Sequence, residues 1–338
     1  MLKPASPIRR VTRPLALGTL GVLLVIACLA SVAFGVRDIT AADVLAALGG
    51  ATDTASQAAA YQRIPRTLAA VVVGAALAVA GATMQAITRN PLADPGVFGV
   101  LSGSALAVVV LLTVAGSPSP ALVSAAAVLG AAGASAFVYA IGSAGRAGAT
   151  PLTLALAGAA TSAALTSLTT ALILPRSQSL DSYRQWMVGG AGGTDWSELS
   201  LAAPVIAVGV LVALGHGGGL NALALGDDVA AGLGYAVTRT RLVGWGVAAT
   251  LAGVATALCG PIAFIGLVVP HAVRLVSGPD QRWLLPLSAV GGAIFLVLAD
   301  TLGRVVAPPA EIAVGVVTPL IGAPVFLWVV RTMKTRSL

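Results

Sequence analysis

The chain has 338 residues, of which 57% are hydrophobic and 9% charged, with a formal net charge of +7. A soluble domain carries about 25% charged residues, so this chain cannot cover a water-facing surface. At a mean hydropathy of +0.96 it reads as an integral membrane protein, neither a disordered chain nor a nucleic-acid binder.

A transmembrane helix needs about 20 apolar residues and tolerates almost no charge, so the runs between charged residues mark the spans. Residues 1–13 form a basic tail whose Lys3, Arg9, Arg10 and Arg13 place the amino terminus on the cytoplasmic side. The first span lies in 14–36. Its Val25-Ile-Ala-Cys28 has a faint likeness to a lipoprotein cleavage site, but the many spans that follow favour an uncleaved anchor. The outer segment 37–66 contains a short amphipathic helix around 39–48, with Thr40 as its cap and Asp43 in the first turn. Residues 67–88 give the second span. The run 95–145 is too long for one helix and is broken by Gly116-Ser-Pro-Ser-Pro120, so it holds two.

A fifth span occupies 147–175, a second long outer segment 176–198, and a sixth span the run from 199. The cytoplasmic stretch 215–240 opens with Gly217-Gly-Gly219 and predicts two short helices folded about Gly226, a knob on the inner face. Residues 242–273 are short for two full helices, yet Cys259-Gly260-Pro261 interrupts them. Read as a hairpin, they keep Arg239, Arg241, Arg274 and Arg282 inside. The last spans lie in 283–299 and 312–330. Ten spans return both termini to the cytoplasm, with thirteen basic and four acidic residues inside against six and eight outside. Nine would strand Arg331, Lys334 and Arg336 on the outer side.

The chemistry this chain can perform is narrow. Ion-coupled carriers usually need an ionisable group inside their spans, though backbone at broken helices can also serve, and here Asp94, Asp300 and Glu311 all fall near predicted helix ends. A phosphate-binding loop needs Gly-Lys-[Ser/Thr], but the only lysines are Lys3, after Leu2, and Lys334, after Met333, so any ATP is hydrolysed by a partner. His271 and the serines Ser102 and Ser104 lack a GxSxG setting, and a structural histidine is favoured over an intramembrane hydrolase. Cys28 and Cys259 lie in apolar runs and, with two histidines and no acidic cluster, offer no metal site. The outer arginines are more informative. Arg63 and Arg66 flank Ile64-Pro65 at the start of a span, and Arg304 follows Asp300 on the same helix face. They suit bidentate recognition of carboxylates, or else interfacial anchoring and a local Asp300–Arg304 pair.

Several motifs carry a family resemblance. They are Arg63-Ile-Pro-Arg-Thr-Leu-Ala69, Gly74 to Gly81, Gln85, Arg89-Asn-Pro-Leu-Ala-Asp-Pro-Gly96 with Gly99, Trp186-Met-Val-Gly189, Leu220 to Asp228, Gly260 to His271, Asp300, Arg304, Glu311, Val314-Gly315, and Ile321 to Phe326. Together they resemble the membrane permease of bacterial ATP-binding-cassette importers for ferric siderophores, haem and cobalamin. The resemblance implies an all-α, ten-helix permease in the bacterial cytoplasmic membrane, one transmembrane domain over 1–338, not itself an enzyme and without a cofactor. It implies a second permease subunit, identical or paralogous, two ATPase subunits, and an extracytoplasmic substrate-binding protein. It assigns Arg63, Arg66 and Arg304 to docking of the binding protein, and Leu225, Gly226, Asp227, Asp228, Gly232 and Gly234 to coupling with the ATPase. The 90–95 and 225–228 stretches look most like ferric-siderophore permeases, with haem and cobalamin as the alternative cargoes and an ion-coupled carrier as the rival of another class. Glu311-Ile-Ala-Val-Gly315 departs from the family pattern, which commonly has proline at the third position.

Overall fold

The computed structural model describes residues 13–35, 39–116, 118–144 and 150–334, so the basic tail at 1–12, Arg146 and Arg336 lie outside the described residues. Among the described residues the protein is built from fourteen α-helices and one 3-10 turn. In chain order the helices are α1 (Arg13–Ala33), α2 (Ala41–Leu48), α3 (Ala55–Thr88), α4 (Val100–Ala115), α5 (Pro120–Ser143), α6 (Pro151–Ile173), α7 (Ser177–Val188), α8 (Trp196–Gly215), α9 (Gly217–Ala224), α10 (Asp227–Gly232), α11 (Val237–Cys259), α12 (Ile265–Ser277), α13 (Gln281–Val306) and α14 (Val314–Lys334), with the 3-10 turn at Pro95–Phe98. Seven of them (α1, α3, α5, α6, α8, α11, α13) are long and apolar enough to cross a membrane. The shorter apolar helices α4, α12 and the 314–327 part of α14 accompany them.

The axis of the fold is α3. Its largest interface is with α13, and it also packs on α11, α12 and α8. In lipid no hydrophobic force draws apolar helices together, so close approach of backbones through small residues supplies the cohesion. Gly74 faces Gly292 of α13 and Gly81 faces Gly266 of α12 so closely that a Cβ at either site would collide with the facing carbonyl. Around this axis, α4 and α5 pair with each other and with α6.

Two elements differ from the sequence reading, and a third agrees with it. The second span was expected from Thr67, but α3 starts at Ala55 because Thr54 and Gln57 form a reciprocal capping box. At 34 residues, or about 50 Å at 1.5 Å per residue, α3 outruns the roughly 30 Å hydrocarbon layer and stands out of the membrane on its outer side. The expected α2 is present, capped by Thr40 and Asp43. The outer segment 176–198 holds a helix, α7, that the polar sequence did not announce.

The hairpin at 242–273 is α11 and α12. At 13 residues α12 is short, and the chain reaches it through the non-helical stretch 260–264. Backbone of that kind is tolerated at membrane depth only where protein covers it. Here Gly190 N–H donates to the Cys259 carbonyl (2.7 Å) and Gly315 N–H to the Gly189 carbonyl (3.1 Å), stitching the 188–193 loop between the ends of α11 and α14.

The inner end is set by charge. Arg13, at the start of α1, donates to Asp280 at the start of α13 (3.2 Å), so the ends adjoining the basic tail and the 278–280 turn between α12 and α13 lie together. The excess of Lys and Arg there marks the cytoplasmic face.

Candidate functional site

The outer end of α3 carries Arg63 and Arg66, one turn apart and on neighbouring faces of the helix. Each makes its own set of contacts. Arg66 grips Asp300 of α13 with two parallel bonds, Nε to Oδ2 at 3.0 Å and Nη2 to Oδ1 at 2.9 Å. Its Nη1 donates to Glu311 at 2.7 Å. Arg304 lies one turn beyond Asp300 and pairs with it through Nε at 3.2 Å.

Arg63 and Arg304 turn inward. Arg304 is 1% exposed and donates from Nη1 to the carbonyls of Ser31 and Phe34, and from Nη2 to the hydroxyls of Ser31 and Thr301. Arg63, 8% exposed, donates to the carbonyls of Val32 and Ala33. Both guanidinium groups thus cap the carboxyl-terminal end of α1, where carbonyls lack helical partners and the dipole favours a cation. Three arginines against Asp300 and Glu311 leave the cluster net positive. Of the three, Arg66 also lines a cavity of about 800 Å³ whose walls include Glu198, Glu311, Trp186 and Gln185.

The inner end carries the knob. Its two short helices are present, α9 and α10, and the chain turns between them at Gly226, whose φ of +116° lies where L side chains are strained. Leu225, Val229, Leu233 and Tyr235 are exposed on it, Leu225 by 64% and Leu233 by 60%. Gly232 and Gly234 end α10, the latter at a φ of +84°. Asp228 stands beside Asp227 in the first turn of α10, where a negative charge suits the helix dipole.

Two polar clamps hold the knob, and neither was read from the sequence. Asp227 accepts from Arg241 of α11 at 3.0 and 3.2 Å and from Arg89 at the end of α3. Asn221 of α9 donates to Asp280 at 2.7 Å and accepts from the Gln281 N–H at 2.8 Å. Partial burial opposes ionisation of Asp280. The Asn221 amide, the Arg282 N–H and the neighbouring Arg13 and Arg282 prevail and hold its carboxyl below the ordinary range. No local signal in the sequence marks such long-range partners. A polar residue in a short apolar helix, as Asn221 is, was the available hint.

The residues weighed for hydrolysis have other employment. Ser102 and Ser104 donate to the carbonyls of Gly99 and Ala127, and buried His271 bonds the Leu267 carbonyl through Nδ1 while its ring meets Phe326 edge to face. Among the described residues no group of three or more His, Cys, Asp or Glu side chains could hold a metal ion.

The model of the FecCD transport family matches residues 23–332. The chain is 40% identical over 328 residues to the ferric enterobactin transport system permease protein FepD of Escherichia coli (strain K12), covering 97% of this chain and 98% of that one. It is 44% identical to the probable siderophore transport system permease protein YfiZ of Bacillus subtilis (strain 168), covering 80% and 81%. To the hemin transport system permease protein HmuU of Yersinia pestis it is 41% identical, covering 81% and 84%. Among solved structures, the inward-facing conformation of a metal-chelate type ABC transporter superposes with a TM-score of 0.83 at 28% identity, covering 95% of this chain and 99% of that one.

Proposed function

The chain belongs to the FecCD transport family, and from that premise we propose that it moves a ferric siderophore complex inward through a membrane, driven by ATP that a separate subunit hydrolyses. It is a multi-pass permease subunit, and transport is its activity. The observation that carries the proposal is that one helix, α3, has a net-positive cluster at its outer end and a clamped, apolar knob at its inner end. Such a helix suits a link between two partners on opposite sides of the bilayer.

On this reading the three short apolar helices cross the membrane as well, giving ten spans with both termini inside, and the whole chain acts as one membrane domain. A second permease subunit, identical or paralogous, completes the pathway. An extracytoplasmic binding protein presents acidic lobes to the cluster of Arg63, Arg66 and Arg304. Arg66 stands in front, and the other two are anchored behind it on the end of α1. Two ATPase subunits take the knob, Leu225 to Gly234, against its exposed leucines, and their closure on ATP pushes it and rocks the helices. A bulky, already chelated cargo suits a pathway with few charges, because weak wall contacts let it pass while the binding protein supplies selectivity.

A panel of labelled cargoes tests the substrate class. Cells that depend on this permease with its ATPase and binding protein are offered a ferric siderophore, ferric citrate, haemin and cobalamin. Uptake led by a ferric siderophore is expected, and uptake of cobalamin or haemin alone contradicts it.

A further inference from the structure

At the end of α3 the backbone does something costly. Arg89 adopts a left-handed conformation, φ 48° and ψ 28°, which L-residues other than Asn and Asp seldom visit. The same residue makes the contacts that bridge the elbow of the knob. Its Nε donates to the Leu223 carbonyl at 2.7 Å, in the last turn of α9, and its Nη2 donates to Asp227 Oδ1, in the first turn of α10. Between those two acceptors lies Gly226, a point at which the knob can bend freely. A planar guanidinium presents its donors in a fixed fork, so one side chain fixes the position of one helix end relative to the other.

The remaining contacts tie this elbow to the membrane helices. Arg241, whose side chain is almost fully buried, takes Asp227 from the α11 side, and Asn221 fastens α9 to the start of α13. Displacement of the knob can therefore reach α3 directly, provided the elbow does not fold up at Gly226. The glycine permits such folding, and the Arg89 fork opposes it.

We propose that Arg89 is a positioning residue for energy coupling: its guanidinium locks the α9–α10 elbow so that movement of the knob is delivered to α3 and not absorbed at Gly226. This rests on the reading of the knob as the ATPase docking element, and the experiment separates the two.

The intact complex, with its ATPase and binding protein, is reconstituted carrying Arg89→Ala or Arg89→Lys. ATPase retention, basal ATP hydrolysis and ferric siderophore transported per ATP are measured together. Both variants are expected to retain the ATPase and hydrolyse ATP at the native basal rate. Both should transport about tenfold less cargo per ATP, within the usual span of a coupling between sites. Lysine keeps the charge and is the milder change for folding, but as a point donor it cannot span both acceptors. A native transport-to-ATP ratio in either variant overturns the role of the fork. So does failure of both variants to assemble, which would make Arg89 a folding residue. The knob reading fails separately if Leu225→Asp with Leu233→Asp leaves ATPase retention unchanged.

Discussion

Arg66 holds Asp300 through two parallel hydrogen bonds at 2.9 and 3.0 Å, across the largest helix–helix interface of the molecule, that between α3 and α13. Asp300 is 2% exposed and also touches Arg304, so it is the shared counter-charge of two arginines. Removing one partner of a buried pair leaves the other charges uncompensated. Asp300→Ala should therefore destabilise the protein by about 3–5 kcal/mol, read as a lowered thermal midpoint of the detergent-solubilised protein. Glu311 is much more exposed, and Glu311→Gln should cost about 0–1 kcal/mol. Equal effects of the two substitutions would contradict the assignment of Asp300 as the buried counter-charge.

Helix cohesion gives a second prediction. At Gly81 a side chain would meet the Gly266 backbone, whereas Gly18 and Gly21 of α1 have nothing within 4 Å of an added Cβ. Gly81→Val forces α3 and α12 apart and should abolish the monodisperse folded species in size-exclusion chromatography. Gly18→Ala and Gly21→Ala should elute as the unmodified protein does. A well-folded Gly81→Val protein would show that the two helices do not meet here.

The elbow of the knob gives a third. Gly226 sits at φ +116°, and valine there carries about 1–3 kcal/mol of backbone strain, released by reshaping the α9–α10 corner. Nothing within 4 Å obstructs the added Cβ, so insertion and membrane level should be normal while uptake is lost. Unchanged uptake would remove the knob from the coupling path.

The Asp280 clamp predicts a pH response by its sign. Its carboxyl is held below the ordinary value, so its contribution is complete above about pH 4 and disappears as pH falls through the folded-state value. The thermal midpoints of the native protein and of Asp280→Asn should thus differ by a constant amount between pH 5 and 8, and converge only under stronger acid. A difference that changes between pH 6 and 8 would contradict the clamp.

Much of this architecture was legible because lipid imposes strict rules on sequence. Apolar runs between charges gave the spans, Gly116-Ser-Pro-Ser-Pro120 separated α4 from α5, and Thr40 with Asp43 announced α2. The start of α3 was missed because Arg63, Pro65 and Arg66 look like the end of a loop, while the Thr54–Gln57 cap lies a further three turns out. Helix α7 was missed because its apolar stripe, Leu180, Tyr183 and Trp186, covers only two turns of an otherwise polar segment. The outer arginines were found as a group by their position against the charge bias. That Arg63 and Arg304 are spent on the carbonyls of α1 was invisible, since no local pattern records which distant helix end a guanidinium will cap. Arg89 was read only as part of a motif, and its fork across the knob depends on a backbone conformation that sequence does not announce.

The most direct test is transport by purified protein in liposomes. With its ATPase and binding protein present, uptake of ferric siderophore should require ATP and stop when the nucleotide is withheld, and an ionophore should leave it unaffected. Accumulation of cargo by the permease alone, without nucleotide, would contradict the account.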